Sequence, residues 1–222
     1  MHLTFSPALC PTLFTGSRSP YSNKFYIKIM KKITVINGHP DKESFNSVMA
    51  LSYIQSAQYA GAEVRHIAIG EMNFNPNLQY GYRQRMELEP DLVKALEDLQ
   101  WSEHQVWIHP LWWLGMPAVM KGFFDRAFLP GITFKSNKGG LNDGLLKGKT
   151  GRIITTAGDL SRDAYEDVYR SSGLVQLKQG ILEYCGVSAI EDHFVGPLYG
   201  WDEVDRKRWL NTLQHLAEID SE

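Results

Sequence analysis

From Lys31 onward the chain alternates short apolar runs of strand character with segments of helical periodicity, and that alternation leaves few folds open. Lys32-Ile33-Thr34-Val35-Ile36-Asn37 is almost continuously apolar, the pattern of a parallel strand buried on both faces. A Gly38-His39-Pro40 break follows, then Ser44-Phe45-Asn46 and a helix expected to bury Val48, Leu51 and Ile54 and to end at Gly61. Residues 63–68 read as a second strand. Pro90 opens a helix through Val93, Leu96 and Leu99, and 105–109 form a third strand. A helix over 117–128, a strand over 151–156, a helix over 174–185, a strand over 188–195 and a terminal helix over 203–219 complete the pattern. The polar stretch 70–89 is long for a connection in a compact α/β unit, which points to a functional or interface role.

Five strands linked through helices by right-handed crossovers specify an α/β fold: a doubly wound five-stranded parallel sheet of order 2-1-3-4-5 with helices on both faces. Ligands bind such sheets beyond the carboxyl ends of the strands where the order reverses, here between the first and third. The segments at that edge are 38–46, 110–116 and 155–165, and the chemically informative motifs fall in them.

Composition narrows the function. With 222 residues, 43% of them hydrophobic and 22% charged, the chain suits one globular domain. A net charge of −2 offers no basic face for nucleic acid. No apolar run approaches the roughly 20 residues needed to cross a bilayer, so no direct membrane insertion is expected. Cys10 and Cys185 provide neither a disulfide framework nor a cysteine-rich metal site, which suits a reducing, cytoplasmic setting. His39 and His109 lack metal-type spacing. The first 29 residues differ from the rest: they carry Arg18, Lys24 and Lys28, no acidic residue, and prolines at 7, 11 and 20. The remainder holds 20 basic against 25 acidic residues, a charge of −5. This leader lacks apolar periodicity and is expected to stay outside the folded domain of residues 30–222, with Met30 read as the natural start.

Three motifs deserve weighing on chemistry. His39 through Asn46 joins the first strand to the first helix, and a helix start presents unpaired N–H groups to an anion. Ser44 and Asn46 add side-chain donors, though both are also ordinary capping residues. Gly144-Leu145-Leu146-Lys147-Gly148-Lys149-Thr150 imitates a P-loop but has three residues between its glycines where four are required, and it precedes a strand instead of following one. Trp112 and Trp113 stand at the carboxyl end of a central strand, where aromatic walls suit a flat apolar ring or simply cover the sheet end.

The run H-P-L-W-W-L-G-M-P-A-V-M-K-G-F-F-D-R-A-F from His109 to Phe128, preceded by H-P-D-K-E-S-F-N and followed by T-T-A-G, resembles the NAD(P)H:quinone oxidoreductase family, which includes DT-diaphorase and modulator of drug activity B. The resemblance covers nearly all of residues 30–222. It implies a flavodoxin-like fold, a homodimer, bound FAD with FMN as the alternative, and ping-pong hydride transfer from NADH or NADPH to quinone-type small molecules. His39, Ser44, Phe45 and Asn46 then match contacts to the phosphate and adenosine side of the flavin. Pro110, Leu111, Trp112, Trp113 and Leu114 match the loop along the isoalloxazine ring. Thr155, Thr156, Ala157 and Gly158 match the loop at its pyrimidine edge. Asp125 matches an acidic residue touching the partner subunit's cofactor, and Tyr165 is the nearest match to a catalytic tyrosine. The histidine that accompanies that tyrosine in DT-diaphorase has no counterpart, since no histidine lies between Tyr165 and Cys185. Similar flavoproteins also serve as ancillary regulatory subunits of potassium efflux transporters, which is the alternative reading. A one-electron carrier would need a more acidic surface.

Overall fold

The computed structural model describes residues 30–137 and 143–222; the leader expectation lies outside these residues. Seven strands and five α-helices follow in the order β1 (Lys32–Asn37), α1 (Phe45–Tyr59), β2 (Glu63–Ala68), α2 (Pro90–Trp101), β3 (His104–Pro110), α3 (Ala118–Ala127), β4 (Phe134–Lys135), β5 (Asp143–Gly144), β6 (Thr150–Thr156), α4 (Ser172–Leu177), β7 (Ser188–Val195) and α5 (Glu203–Asp220). The main sheet is parallel throughout, in the order β2-β1-β3-β6-β7, which is the expected 2-1-3-4-5 pattern. The short antiparallel pair β4–β5 is an addition too brief to leave a sequence signature.

Alternation along the strands feeds two cores. Ile33, Val35, Val106, Ile108 and Ile154 face α1 and α5, where they meet Met49, Tyr53, Leu213 and Ala217. Ile36, Trp107 and Ile153 face the other way, toward α2, α3 and α4. There Trp107 lies within 5.1–6.5 Å, ring to ring, of Phe123, Phe124 and Phe128, so the phenylalanines of the long motif are core residues. The buried stripe of α1 differs from expectation. Met49, Ala50, Tyr53 and Ala57 point inward, while Val48 and Leu51 are exposed. Small Ala50 and Ala57 allow α1 to seat closely on the sheet beside α5, and that close seating outranks the hydrophobicity of single positions. In α2, likewise, Leu92, Ala95, Leu96 and Leu99 are buried and Val93 is exposed. The helix expected over 174–185 begins earlier and changes pitch, α-helical over Ser172–Leu177 and π-helical over Lys178–Glu183.

Several contacts tie down the long polar stretch, those of Arg126 foremost. Arg126 of α3 is fully buried and donates to the carbonyls of Asn75 and Glu87 and to the Glu89 carboxylate at 2.8 Å. Gly122, one turn earlier, lies where a Cβ would meet Pro76 at 2.4 Å. Gly144 of the P-loop imitation is likewise a packing glycine, its Cα set against the Cys185–Gly186 backbone with 2.3 Å available to a Cβ.

At the amino edge a buried polar cluster closes the domain. Arg152 binds both oxygens of Asp220 at 2.6 and 2.7 Å, and Tyr53 donates to Asp220 at 2.7 Å. Arg152 also reaches His193 Nε2 at 2.6 Å. Burial works against the Asp220 charge, but the hydrogen bonds from Arg152 and His104 outweigh it and hold the carboxyl below the ordinary carboxylate range. A depressed carboxyl stabilises the fold in full above the unfolded pKa near 3.9 and loses that contribution progressively as pH falls from there through the lower folded pKa. Asp220→Ala leaves Arg152 buried and unpaired, and is expected to cost about 3–5 kcal/mol in urea unfolding at pH 7. An unchanged midpoint would show that the cluster does not hold α5.

Candidate functional site

The carboxyl ends of β1, β3, β6 and β7 open onto a cleft of about 650 Å³ lined by His39, Ser44, Phe45, Asn46, Pro110, Leu111, Trp112, Trp113, Thr156, Ala157, Gly158, Asp159, Leu198 and Tyr199. One wall is the start of α1. Ser44 caps it by accepting the Ser47 N–H at 3.2 Å, and no acidic residue occupies the first turn. The Phe45 and Asn46 N–H groups have no carbonyl of their own helix to bind. Asn46 is aimed by Thr156, whose hydroxyl donates to Asn46 Oδ1 at 3.0 Å; Asn46 Nδ2 is then buried without a partner among the described residues. His39 Nδ1 lies 3.0 Å from the Asp41 N–H and 3.2 Å from the Asp41 carbonyl, so the loop backbone holds the ring at the cleft. Donors of one polarity thus gather at a helix N-terminus, an arrangement that favours an anion.

The opposite wall is a strained turn. Trp113 and Leu114 both adopt left-handed backbone angles, φ 51° and 61°, between Trp112 and Gly115, whose N–H and C=O groups bond each other at 2.9 and 3.0 Å. This is the geometry of a type I′ hairpin turn, which ordinarily takes Asn and Gly at its centre. Two bulky residues there cost on the order of 1–3 kcal/mol each. The strain places the Trp113 ring fully in solvent beside the cleft, with Trp112 half-exposed and edge-on to His39 at 5.5 Å.

The floor is the β3–β6 junction. His109 is completely buried, its Nδ1 is 3.0 Å from the Pro110 carbonyl, and its Nε2 is 3.2 Å from the Thr155 hydroxyl. A carbonyl only accepts, so Nδ1 carries the proton and Thr155 donates to Nε2. The far rim was not expected from the sequence. Leu198 and Tyr199 donate their N–H groups to the Ala157 and Gly158 carbonyls at 2.9 and 2.8 Å, and the Tyr199 ring covers Gly158 so closely that a Cβ would meet it at 2.8 Å. These residues follow the carboxyl end of β7, so the edge rule extended by one strand would have found them. In the 155–158 loop the Ala157 N–H is bound to Val195, leaving Gly158 as its free backbone donor among the described residues.

A family model described as the flavodoxin-like fold matches residues 31–220. An uncharacterised NAD(P)H oxidoreductase of Haemophilus influenzae is 30% identical over 181 residues, which is 79% of this chain and 89% of that protein. Rat NAD(P)H dehydrogenase [quinone] 1 is 26% identical over 192 residues, 75% of this chain and 69% of that protein. The chain belongs to the NAD(P)H:quinone oxidoreductase family. It is an oxidoreductase of the flavodoxin-like fold. The crystal structure of an FMN-dependent NADH-azoreductase of Bacillus anthracis in complex with FMN shares that fold, with a TM-score of 0.65 at 19% identity, covering 87% of this chain and all (100%) of that one.

Four residues of the family pattern stand outside the cleft lining of this oxidoreductase. Leu114 turns its carbonyl toward the start of α4, within 2.5 Å of where a Gly173 Cβ would stand. Asp125 pairs with Lys121 at 2.6 Å in a separate hollow with Tyr82, Gln176 and Tyr184. Tyr165 is buried, stacks on Phe194 at 5.0 Å, and accepts the Leu174 N–H at 2.8 Å. Thr155 sits below the floor, bound to His109.

Burial lowers the His109 pKa to about 4, against the smaller opposing pull of the Pro110 carbonyl. The unfolded chain takes up that proton near pH 6.5, so the contribution is intact above 6.5 and is lost as pH falls toward 4. About 3 kcal/mol of stability should disappear over that interval through this residue. His109→Gln, which keeps donor and acceptor, should flatten that part of the pH–stability curve measured by urea unfolding.

Proposed function

We propose that this chain holds a flavin nucleotide in the cleft and passes hydride from NADH or NADPH to a quinone or similar acceptor. The observation that carries this reading is the buried, unpartnered Asn46 Nδ2 beside two open N–H groups at the start of α1, facing an aromatic wall across the same cleft. No lysine or arginine is among the described residues that line the cleft, so the helix terminus and Asn46 are the donors offered to a phosphate. The resemblance implies FAD, whereas the similar azoreductase is an FMN protein; both carry riboflavin 5′-phosphate, the portion these donors fit.

A bound flavin would supply the two-electron chemistry. The protein's share is placement. Phe45, Pro110 and Leu111 provide apolar contact along the cleft, and Thr156 fixes the Asn46 amide so that its donor needs no reorientation. The Gly158 N–H stands where negative charge can be stabilised. Trp113 offers a free indole face on which planar donor and acceptor rings stack in turn, which gives a ping-pong order. His109 stays neutral and holds Thr155 and the end of β3 in register.

Purified protein should be yellow, with one flavin per subunit. Heat release followed by chromatography against FAD and FMN standards identifies which. Colourless protein that takes up neither added flavin would overturn the reading. Trp113→Ala should weaken flavin binding or raise the acceptor KM about three- to tenfold, the scale of one aromatic contact. Trp101→Phe, at the opposite edge of the sheet, should do neither.

The proposal includes a homodimer. Trp113, Tyr184 and Tyr82 are exposed aromatic residues set around the hollows that hold Lys121 and Asp125. Obligate interfaces bury about 2,000 Å² or more, so the dimer should persist at submicromolar concentration. Light scattering of the flavin-loaded protein is the check, and a monomer there refutes it.

A further inference from the structure

The strained turn at the cleft must be held by something outside itself, and the contacts lead to Tyr165. The reciprocal bonds of Trp112 and Gly115 leave the Leu114 carbonyl outside the turn. That carbonyl abuts the first residues of α4: a Cβ on Gly173 would stand 2.5 Å from it, and the Ser172 hydroxyl approaches it at 3.5 Å. Gly173 is also close-set against the Leu111 side chain and the Tyr165 hydroxyl, at 3.0 and 3.1 Å for the same Cβ position.

The start of α4 is itself under strain. Arg170 and Ser171 have φ of 55° and 49°, and Ser171 contributes no side-chain cap. The first N–H groups of a helix need acceptors from elsewhere. Tyr165 supplies both ends of the fastening: its carbonyl accepts the Ser171 N–H at 2.9 Å and its hydroxyl accepts the Leu174 N–H at 2.8 Å. The ring is anchored in turn by stacking on Phe194 of β7, with planes 23° apart. A path of direct contacts therefore runs from β7 through Phe194, Tyr165, Leu174 and Gly173 to the Leu114 carbonyl.

We propose that Tyr165 is a positioning residue whose buried hydroxyl fixes the start of α4 behind Leu114 and so holds the Trp113 ring at the mouth of the cleft. The hydroxyl is engaged with the Leu174 N–H and buried away from the cleft lining, so its effect on turnover passes through Trp113. This rests on the reading of the cleft as the flavin and acceptor site, but the mechanical coupling does not require a bound cofactor.

The test uses the full chain with Tyr165→Phe, which keeps the ring stack and removes only the acceptor. In flavin-free protein, amide hydrogen exchange at Leu174 and at Gly115 should both speed up about tenfold, the scale of one hydrogen bond's net contribution. In flavin-loaded protein the acceptor KM should rise by a similar factor while kcat and its pH profile stay within about threefold. Gly173→Ala, which pushes on the Leu114 carbonyl from the other side, should accelerate Gly115 exchange and raise KM in the same way. Faster exchange at Leu174 alone, or an unmoved KM, overturns the proposal. A kcat loss with an altered pH profile also overturns it and makes Tyr165 catalytic. Protein that shows the coupled exchange yet binds no flavin refutes the flavin reading while upholding the brace.

Discussion

The reversal of strand order between β1 and β3 governs everything at the site. The chain leaves β1 toward β2 on one side and returns to β3 on the other, with α1 packed on one face and α3 on the opposite one. Right-handed crossovers allow no other arrangement for these elements. The loops after β1 and β3 therefore diverge as they leave the sheet, and the gap between them cannot be filled by either helix. What faces that gap is fixed by geometry: the positive end of α1 on one side and the turn that follows β3 on the other. A polar donor set and an aromatic wall confront each other because the topology separates them by the width of a ligand.

The two sides meet that demand differently. The start of α1 is conventional; Ser44 caps it, and the binding capacity comes from donors that any helix leaves open. The turn after β3 is not conventional, because Trp113 and Leu114 occupy a conformation that glycine or asparagine would adopt at less cost. The return on that strain is exposure of a large ring that burial would otherwise claim. Strain of this kind persists only where surrounding contacts over-determine it, and the close approach of Gly173 to the Leu114 carbonyl is such a contact.

Much of this was legible in the sequence because it depends on periodicity and on residue chemistry. The five main strands, their order, and the segments at the carboxyl edge all follow from apolar runs and their spacing. The helix faces were read less well. Val48 and Leu51 look like core residues by hydrophobicity, yet the face turned toward the sheet and α5 carries Ala50, Tyr53 and Ala57 instead. The rim formed by Leu198 and Tyr199 carries no local motif; it becomes part of the cleft only through two hydrogen bonds to the 157–158 carbonyls. The surroundings of Tyr165 were illegible for the same reason. Its partners, Leu174 and Phe194, are 9 residues away in the hydrogen bond and on a different element in the stack. The P-loop imitation could be rejected on spacing alone, and the close packing of Gly144 against Cys185 explains why a glycine stands there.

The distribution of strain and stability across the sheet is itself informative. The amino edge is knit by Arg152, Asp220, Tyr53 and His193, with charge paired to charge in a dry setting. The carboxyl edge holds an Asn46 Nδ2 without a partner among the described residues, the left-handed Trp113 and Leu114, and a fully exposed Trp113 ring. Each of those features is unfavourable for folding taken alone, and together they cost several kcal/mol, on the order of a single domain's whole margin. A fold can carry that load when the opposite end is over-secured and the two ends are joined by strands buried on both faces. β3 meets this condition: every residue from His104 to Pro110 is buried, and Trp107 at its midpoint sits in the aromatic cluster with α3. Rigidity established around Trp107 is thereby delivered to Pro110, and the turn that follows starts from a fixed point. Asn46 Nδ2 and the Trp113 ring face one cleft, where a bound anion and a flat ring would satisfy them together.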